Sequence, residues 1–191
     1  FLTMLGIIIG VGSVIVLVSL VNGMSQDMVS TFESMGTNLI SVTVMGRGGN
    51  RTLTPDEMQT LVDENPDTIG AMSPSISISG ATVKYSSDNV TASCVGVNEF
   101  YGEVNNAAVA EGRAIAYMDV EQRARNCVIG TYLDNELFAG AEPLGETIRI
   151  NGESFQVVGV LEETQGGEEG TEDATVLIPY TVAQRLCQTF M

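Results

Sequence analysis

Adjacent carboxylates and three cysteines are the residues of this sequence best suited to chemistry. Among the carboxylates are the pairs Asp56/Glu57, Glu162/Glu163 and Glu168/Glu169. Paired carboxylates do acid–base work only when burial and fixed geometry shift their pKa values apart. Here one pair opens a helix and the other two lie in the glycine-rich run Glu162–Asp173 (EETQGGEEGTED), so solvated charge is the better reading. That run also lacks the alternating oxygen ligands, closed by a glutamate, of a calcium loop, and it reads as a mobile loop. Cys94, Cys127 and Cys187 are far apart, with no CxxC, which disfavours a metal or redox motif. Cys94 and Cys127 sit in apolar runs and read as small buried hydrophobes; one disulfide with a thiol left over stays open. Histidine is absent, which removes Ser-His-Asp and Cys-His catalysis and most catalytic zinc sites. No GxxxxGK[ST] occurs, so this chain does not hydrolyse ATP unaided.

The charge balance narrows the partners. Among 191 residues, 24 Asp and Glu face 8 Lys and Arg, for a net charge of -16. Nucleic acid needs clustered cations, and only Arg123 and Arg125 lie close together. Adhesion to an anionic lipid surface is disfavoured for the same reason. Plain solubility explains the acidity, with a modest cation-attracting surface as the alternative.

The elements that must position these residues begin with Phe1–Met24, which carries no charge; the first is Asp27. As a helix of 24 residues it would reach about 36 Å, enough for a hydrocarbon layer of about 30 Å. A core helix would rarely run so long without a polar face. A signal peptide would show basic residues, a shorter apolar stretch and a cleavage site. Phe1 has no basic flank, which fits a chain continuing upstream and leaves the signal reading as the lesser alternative. Residues 1–24 are read as a transmembrane helix. Met24, Met28, Phe32 and Met35 then recur at helical spacing among polar residues, predicting an amphipathic stalk over 25–37, closed by the turn Gly36-Thr37-Asn38.

Alternation over Leu39–Met45 predicts a strand with Ile40, Val42 and Val44 buried. Gly46–Arg51 reads as a loop. Thr54-Pro55-Asp56-Glu57 starts a short helix with Met58, Leu61 and Val62 on its apolar side, stopped at Asn65-Pro66. Ile69–Ser79, Ala81–Tyr85 and Val90–Val97 read as a meander laid against that helix, with Phe100 and Tyr101 anchoring the connector that follows. Glu111-Gly112-Arg113 opens a second unit. Cys127–Gly130 reads as a buried strand and Tyr132–Phe138 as a helix facing Leu133, Leu137 and Phe138 inward. Pro143-Leu144-Gly145 is a turn, and Asn151-Gly152 joins Thr147–Ile150 to Phe155–Leu161 as a hairpin. Ala174–Pro179 is the last strand, followed by a helix from Thr181.

These pieces, in this order, resemble the MacB/FtsX-like ABC transporter permeases. The resemblance rests on TMLGIIIGVGSVIVLVSL (Thr3–Leu20), Gly36-Thr37-Asn38-Leu39-Ile40, Leu53-Thr54-Pro55-Asp56, Gly96-Val97, Gly112-Arg113, Val128-Ile129-Gly130, Leu137-Phe138, Pro143-Leu144-Gly145, Phe155–Val160 and Ile178-Pro179. Each is weak alone; their order over nearly the whole chain is specific. The resemblance implies an α+β fold: an N-terminal transmembrane and stalk helix, then a two-subdomain extracytoplasmic mixed α/β core. The subdomains would be 38–107 plus 174–191, and the inserted 108–173.

The implied function is that of a non-catalytic permease subunit in a bacterial cytoplasmic membrane, with residues after about 25 outside. A cytoplasmic ABC ATPase would bind the ATP, this chain holding no cofactor or metal, and the stalk would pass the motion outward for export or mechanotransmission. A homodimer or paired permease and a periplasmic adaptor are the implied partners. Gly6 and Gly10 form a GxxxG with Ser13 on nearly the same face, suited to close helix packing. The family's three later membrane helices are not in this sequence. A single-pass membrane-anchored binding or sensor domain is the alternative reading.

Overall fold

The structure is a computed structural model of the chain and describes residues 4, 6, 9–21, 39–43, 55–164 and 171–189. The chain divides into two compact units, Phe1–Ser41 and Val42–Met191. In the first, residues 9–21 form a helix, α1, and Met4 and Gly6 are also helical. Its large apolar side chains face outward, Val16 at 68% and Leu17 at 64% exposure. Ser13 Oγ donates to the Gly10 carbonyl at 2.9 Å, and open space lies where a Cβ on Gly6 or Gly10 would stand. Among the described residues no helix is long and apolar enough to cross a membrane. Met24, Met28, Phe32, Met35, Gly36, Thr37, Asn38 and the capping residue Thr54 lie outside the described residues.

Residues 39–43 correct the first strand expectation. They carry no regular structure, and Ile40 and Val42 are 83% and 79% exposed. Alternation marks a side fit for burial, but a strand forms only where a neighbouring backbone answers its N–H and C=O groups. No described strand pairs with these residues.

In the second unit α2 (Pro55–Glu64) forms as the Pro-Asp-Glu start predicts. It ends at Asn65, whose side-chain amide donates to the Leu61 carbonyl at 3.1 Å. β1 (Ile76–Tyr85) and β2 (Asp88–Val97) join through a two-residue turn at Ser86-Ser87. The segments Ile69–Ser79 and Ala81–Tyr85, read as separate, meet within β1 from Ile76 on, and Gly80 (φ 70°) lies in a bulge between Ile78 and Ala81. There follow α3 (Tyr101–Val104), β3 (Val109–Gly112), α4 (Tyr117–Glu121), β4 (Asn126–Ile129) and α5 (Thr131–Phe138). The hairpin β5 (Thr147–Ile150) and β6 (Glu153–Leu161) turns at Asn151 (φ 50°) and Gly152 (φ 92°), as Asn-Gly predicts. A 3-10 turn, Glu172–Ala174, leads into β7 (Thr175–Pro179) and α6 (Tyr180–Thr189).

The strands lie in the order β3-β6-β4-β7-β2-β1-β5, and β5 also pairs with β6. The ladder from β6 through β4, β7, β2, β1 and β5 therefore returns to β6. Pairings are antiparallel except β2/β7 and β4/β6. In this one sheet the strands from 38–107 plus 174–191 (β7, β2 and β1) form one contiguous block, and those from 108–173 (β3, β6, β4 and β5) form the other.

Alternation sorts the side chains onto two faces. Cys94, Cys127, Ile129, Ile148, Ile150, Phe155, Val157, Val176 and Ile178 form the main core with α5 and α6. Val97, Val128 and Leu177 point the other way, into a smaller cluster with Ile115, Val120 and Tyr101. β7 is apolar and buried from Val176 to Pro179 because both its faces are covered. The helices on β1 and β2 are α5 and α6, whereas α2 makes at most marginal contact with any strand. The meander thus rests on helices that come much later in the chain. α6 approaches closely because β2 offers Gly96 where a Cβ would overlap that of Ala183. Phe100 is 37% exposed, so Tyr101 alone anchors the connector.

Candidate functional site

The sequence motifs Gly112-Arg113 and Pro143-Leu144-Gly145 lie about thirty residues apart, and the fold brings them together around β6. Gly112 has φ +79°, and a Cβ there would collide with the Val158 carbonyl and meet the Leu144 side chain at 2.8 Å. Only glycine suits that backbone and that approach. Arg113 N–H then donates to Val158 O at 2.9 Å, and Gly145 N–H donates to Val157 O at 2.8 Å. Gly159 on β6 is pressed in turn against the Arg113 carbonyl. Pro143 is buried beside this joint. Both motifs therefore close the fold around one strand.

Arg113 leads into a charged cluster. Its guanidinium grips Asp119 through both carboxylate oxygens, at 2.5 and 3.1 Å. Asp119 also accepts from Ala116 N–H at 2.9 Å and from the Asn126 amide at 2.7 Å. Only 5% of Asp119 is exposed. Burial pushes its carboxyl pKa up, but these donors overcome it and hold the pKa below the ordinary value. Hydrogen bonding to Asp119 raises Arg113 correspondingly. Thr181 Oγ1 donates to Val120 O at 2.9 Å, tying α4 to α6. The cluster is an ion-paired lock between β3, α4 and β4.

Sequence reasoning missed Asp119. Its signal was an acid three residues after the helix-leading Ala116, the acidic half of a capping box without the usual Ser or Thr. Asp173 was also misplaced, in the mobile loop. It is 2% exposed and accepts from both N–H and Oγ1 of Thr164, each at 2.9 Å. Both described ends of that segment are pinned, since Glu162 N–H donates to Ala108 O at 2.9 Å. Residues 165–170, including Glu168/Glu169, lie outside the described residues.

The three cysteines are free thiols. Burial, then the nearby Cys187, pushes Cys94 up to about 12, and burial pushes Cys127 up further. Both stay protonated and poorly nucleophilic near neutral pH. Among the described residues no group of three or more Cys, Asp or Glu is spaced to hold a metal.

Asp134 on α5 behaves oppositely to Asp119. One carboxylate oxygen is buried with no hydrogen-bond partner among the described residues. Burial, then Glu111 and Glu142, raises its pKa. A raised carboxyl favours folding while protonated, and that contribution fades as pH rises from the unfolded value through the folded one. Asp134→Asn is therefore expected to raise neutral-pH stability by about 0.5–1 kcal/mol, with the gain vanishing near pH 3. Urea unfolding at both pH values checks this; an equal gain at both would sink it.

A family profile described as the MacB-like periplasmic core domain matches residues 1–190. The macrolide export ATP-binding/permease protein MacB of Vibrio parahaemolyticus is 37% identical over 188 residues, covering 95% of this chain and 28% of that one. Its namesake in Neisseria gonorrhoeae is 35% identical over 187 residues, with 94% and 28% covered. The chain thus spans just over a quarter of the length of these relatives. Among solved structures, the periplasmic region of MacB from Actinobacillus actinomycetemcomitans aligns with a TM-score of 0.52 at 25% identity, covering 59% of this chain and 49% of that one. The extracellular domain of the noncanonic ABC-type transporter YknZ from Gram-positive bacteria aligns at 0.57 and 23% identity, covering 72% and 66%.

Proposed function

Because the chain belongs to the MacB-like periplasmic core domain family, we propose that it is the extracytoplasmic part of an ABC transporter permease, which moves with its first membrane helix. The match over residues 1–190 carries this reading. It is supported by relatives whose names join an ATP-binding part to a permease. In this reading residues 1–24 span the cytoplasmic membrane and 25–37 form the stalk. The exposed apolar surface of α1 fits such surroundings, since side chains such as Val16 and Leu17 need an apolar cover. Gly6, Gly10 and Ser13 would let a second membrane helix approach, from a homodimer partner or a paired permease. A cytoplasmic ATPase binds and hydrolyses ATP, and its motion reaches the domain through the stalk for export or mechanotransmission. A periplasmic adaptor would meet the domain on the far side.

The test is a polar substitution on the stalk stripe, Met28→Asp or Phe32→Asp, in the complete transporter. ATP hydrolysis is expected to persist while transport falls at least about tenfold, because the apolar stripe that passes on the motion is broken. Unchanged transport with normal ATP turnover would overturn the coupling role.

A further inference from the structure

Lys84 on β1 and Arg149 on β5 are direct cross-strand partners. Their neighbours Val83 and Ile150 point into the core, so both cations project from the opposite, outer face. Like charges placed opposite each other disfavour the pairing they sit on. Among the described residues neither is in an ion pair. Two acids on the flanking segments are engaged elsewhere: Glu146 accepts from Tyr85 OH at 3.1 Å, and Glu153 pairs with Arg125 at 2.7 Å. The two cations share an open depression of about 410 Å³ with Thr82, Asn151 and Gly152. Its floor is fixed, because Asn151 accepts from Thr82 N–H at 2.8 Å and its own N–H donates to Thr82 O at 2.9 Å. The exposed outward positions beside it on β2 and β6 are Asn89, Thr91, Ser154 and Gln156, none of them charged. In a chain of 24 acids and 8 bases, the described outward positions of these four strands around the depression carry Lys84 and Arg149 and no acid, with Asp88 and Glu153 standing at the strand ends.

We propose that this face docks a short carboxylate-bearing segment of a partner polypeptide. Lys84 and Arg149 would meet its carboxylates, and the flanking Thr, Asn, Ser and Gln side chains would hydrogen-bond its backbone. Charge complementarity selects the occupant. A net charge of -16 repels an extended polyanion or an anionic bilayer. A short acidic segment brings only the few charges the depression can neutralise. The depression is open and has no buried polar group aimed into it, which suits a chain lying across it better than a single enclosed anion. This assignment is independent of the coupling role.

The experiment titrates the full 191-residue chain, isotopically labelled, with a capped hexaglutamate peptide, inorganic phosphate, or phosphatidylglycerol vesicles. The peptide is expected to shift the amide signals of Thr82, Lys84, Arg149 and Asn151, more weakly as salt rises. The double variant K84E/R149E should bind at least about tenfold more weakly, while K84R/R149K keeps binding. Because both side chains are exposed, the reversed variant should keep the wild-type spectrum elsewhere. Hexaglutamate binding that survives K84E/R149E would overturn the proposal. So would saturation of this face by phosphate or vesicles without any response to the peptide.

Discussion

Replacing Asp119 by alanine is expected to cost about 3 kcal/mol of unfolding free energy. The carboxylate is one of two buried polar side chains recorded among the described residues, the other being Asp173. Its removal leaves the Ala116 N–H and the Asn126 amide without their acceptor. Arg113, whose side chain is 48% exposed, can recover water, which keeps the loss below that of a fully buried pair. Because the native pKa of Asp119 is depressed, its contribution is present above the unfolded value and is lost as pH falls through the folded one. Asp119→Asn should therefore flatten the acid limb of the stability profile, the opposite of Asp134→Asn. Urea unfolding from pH 7 down to pH 3 reads both effects. A loss under about 1 kcal/mol for Asp119→Ala would show that the lock contributes little.

Gly130→Ala should be as damaging for a different reason. Gly130 has φ -79°, which alanine adopts readily, so no conformational penalty is involved. The obstacle is the backbone of Asp173, whose carbonyl occupies the space a Cβ would need. Moving it would disturb the Gly130 N–H to Thr175 O bond at 2.9 Å and the Thr164–Asp173 contacts together. A loss of about 3 kcal/mol, or roughly 10 °C in Tm, is expected. Gly140→Ala is the control, with φ +89° and nothing within 4 Å of the added Cβ. It should cost only about 1 kcal/mol. Equal Tm losses for the two would mean that the approach to Asp173 is not what constrains Gly130.

Much of the architecture was legible because its signals are local. Asn151-Gly152 fixes a hairpin within its own neighbourhood, and Leu133, Leu137 and Phe138 declare the buried side of α5 by spacing alone. Local signals cannot say what lies opposite. Ile40 and Val42 alternate as a strand should, yet only a distant backbone could make them one. β1 and β2 rest on α5 and α6, contacts that only long loop closures create. The site shows the same division. Gly112, Arg113, Pro143, Leu144 and Gly145 were noticed as motifs, but their meeting around β6 depends on the fold. Asp119 went unnoticed because its partners are spread over Arg113, Ala116 and Asn126.

The return of the ladder to β6 also limits how other proteins can engage this domain. A free sheet edge offers unpaired N–H and C=O groups, and an extended chain can add to it as one more strand. Here the six-strand circuit leaves little edge to offer. β3 contributes four residues, and the unpaired flank of β1 is interrupted by the bulge before Ala81. Among the described strands, strand addition, ordered or aggregating, therefore finds only short and irregular templates. Recognition falls to side chains on faces and loops, where charge and shape select the partner and the backbone of the sheet stays out of reach.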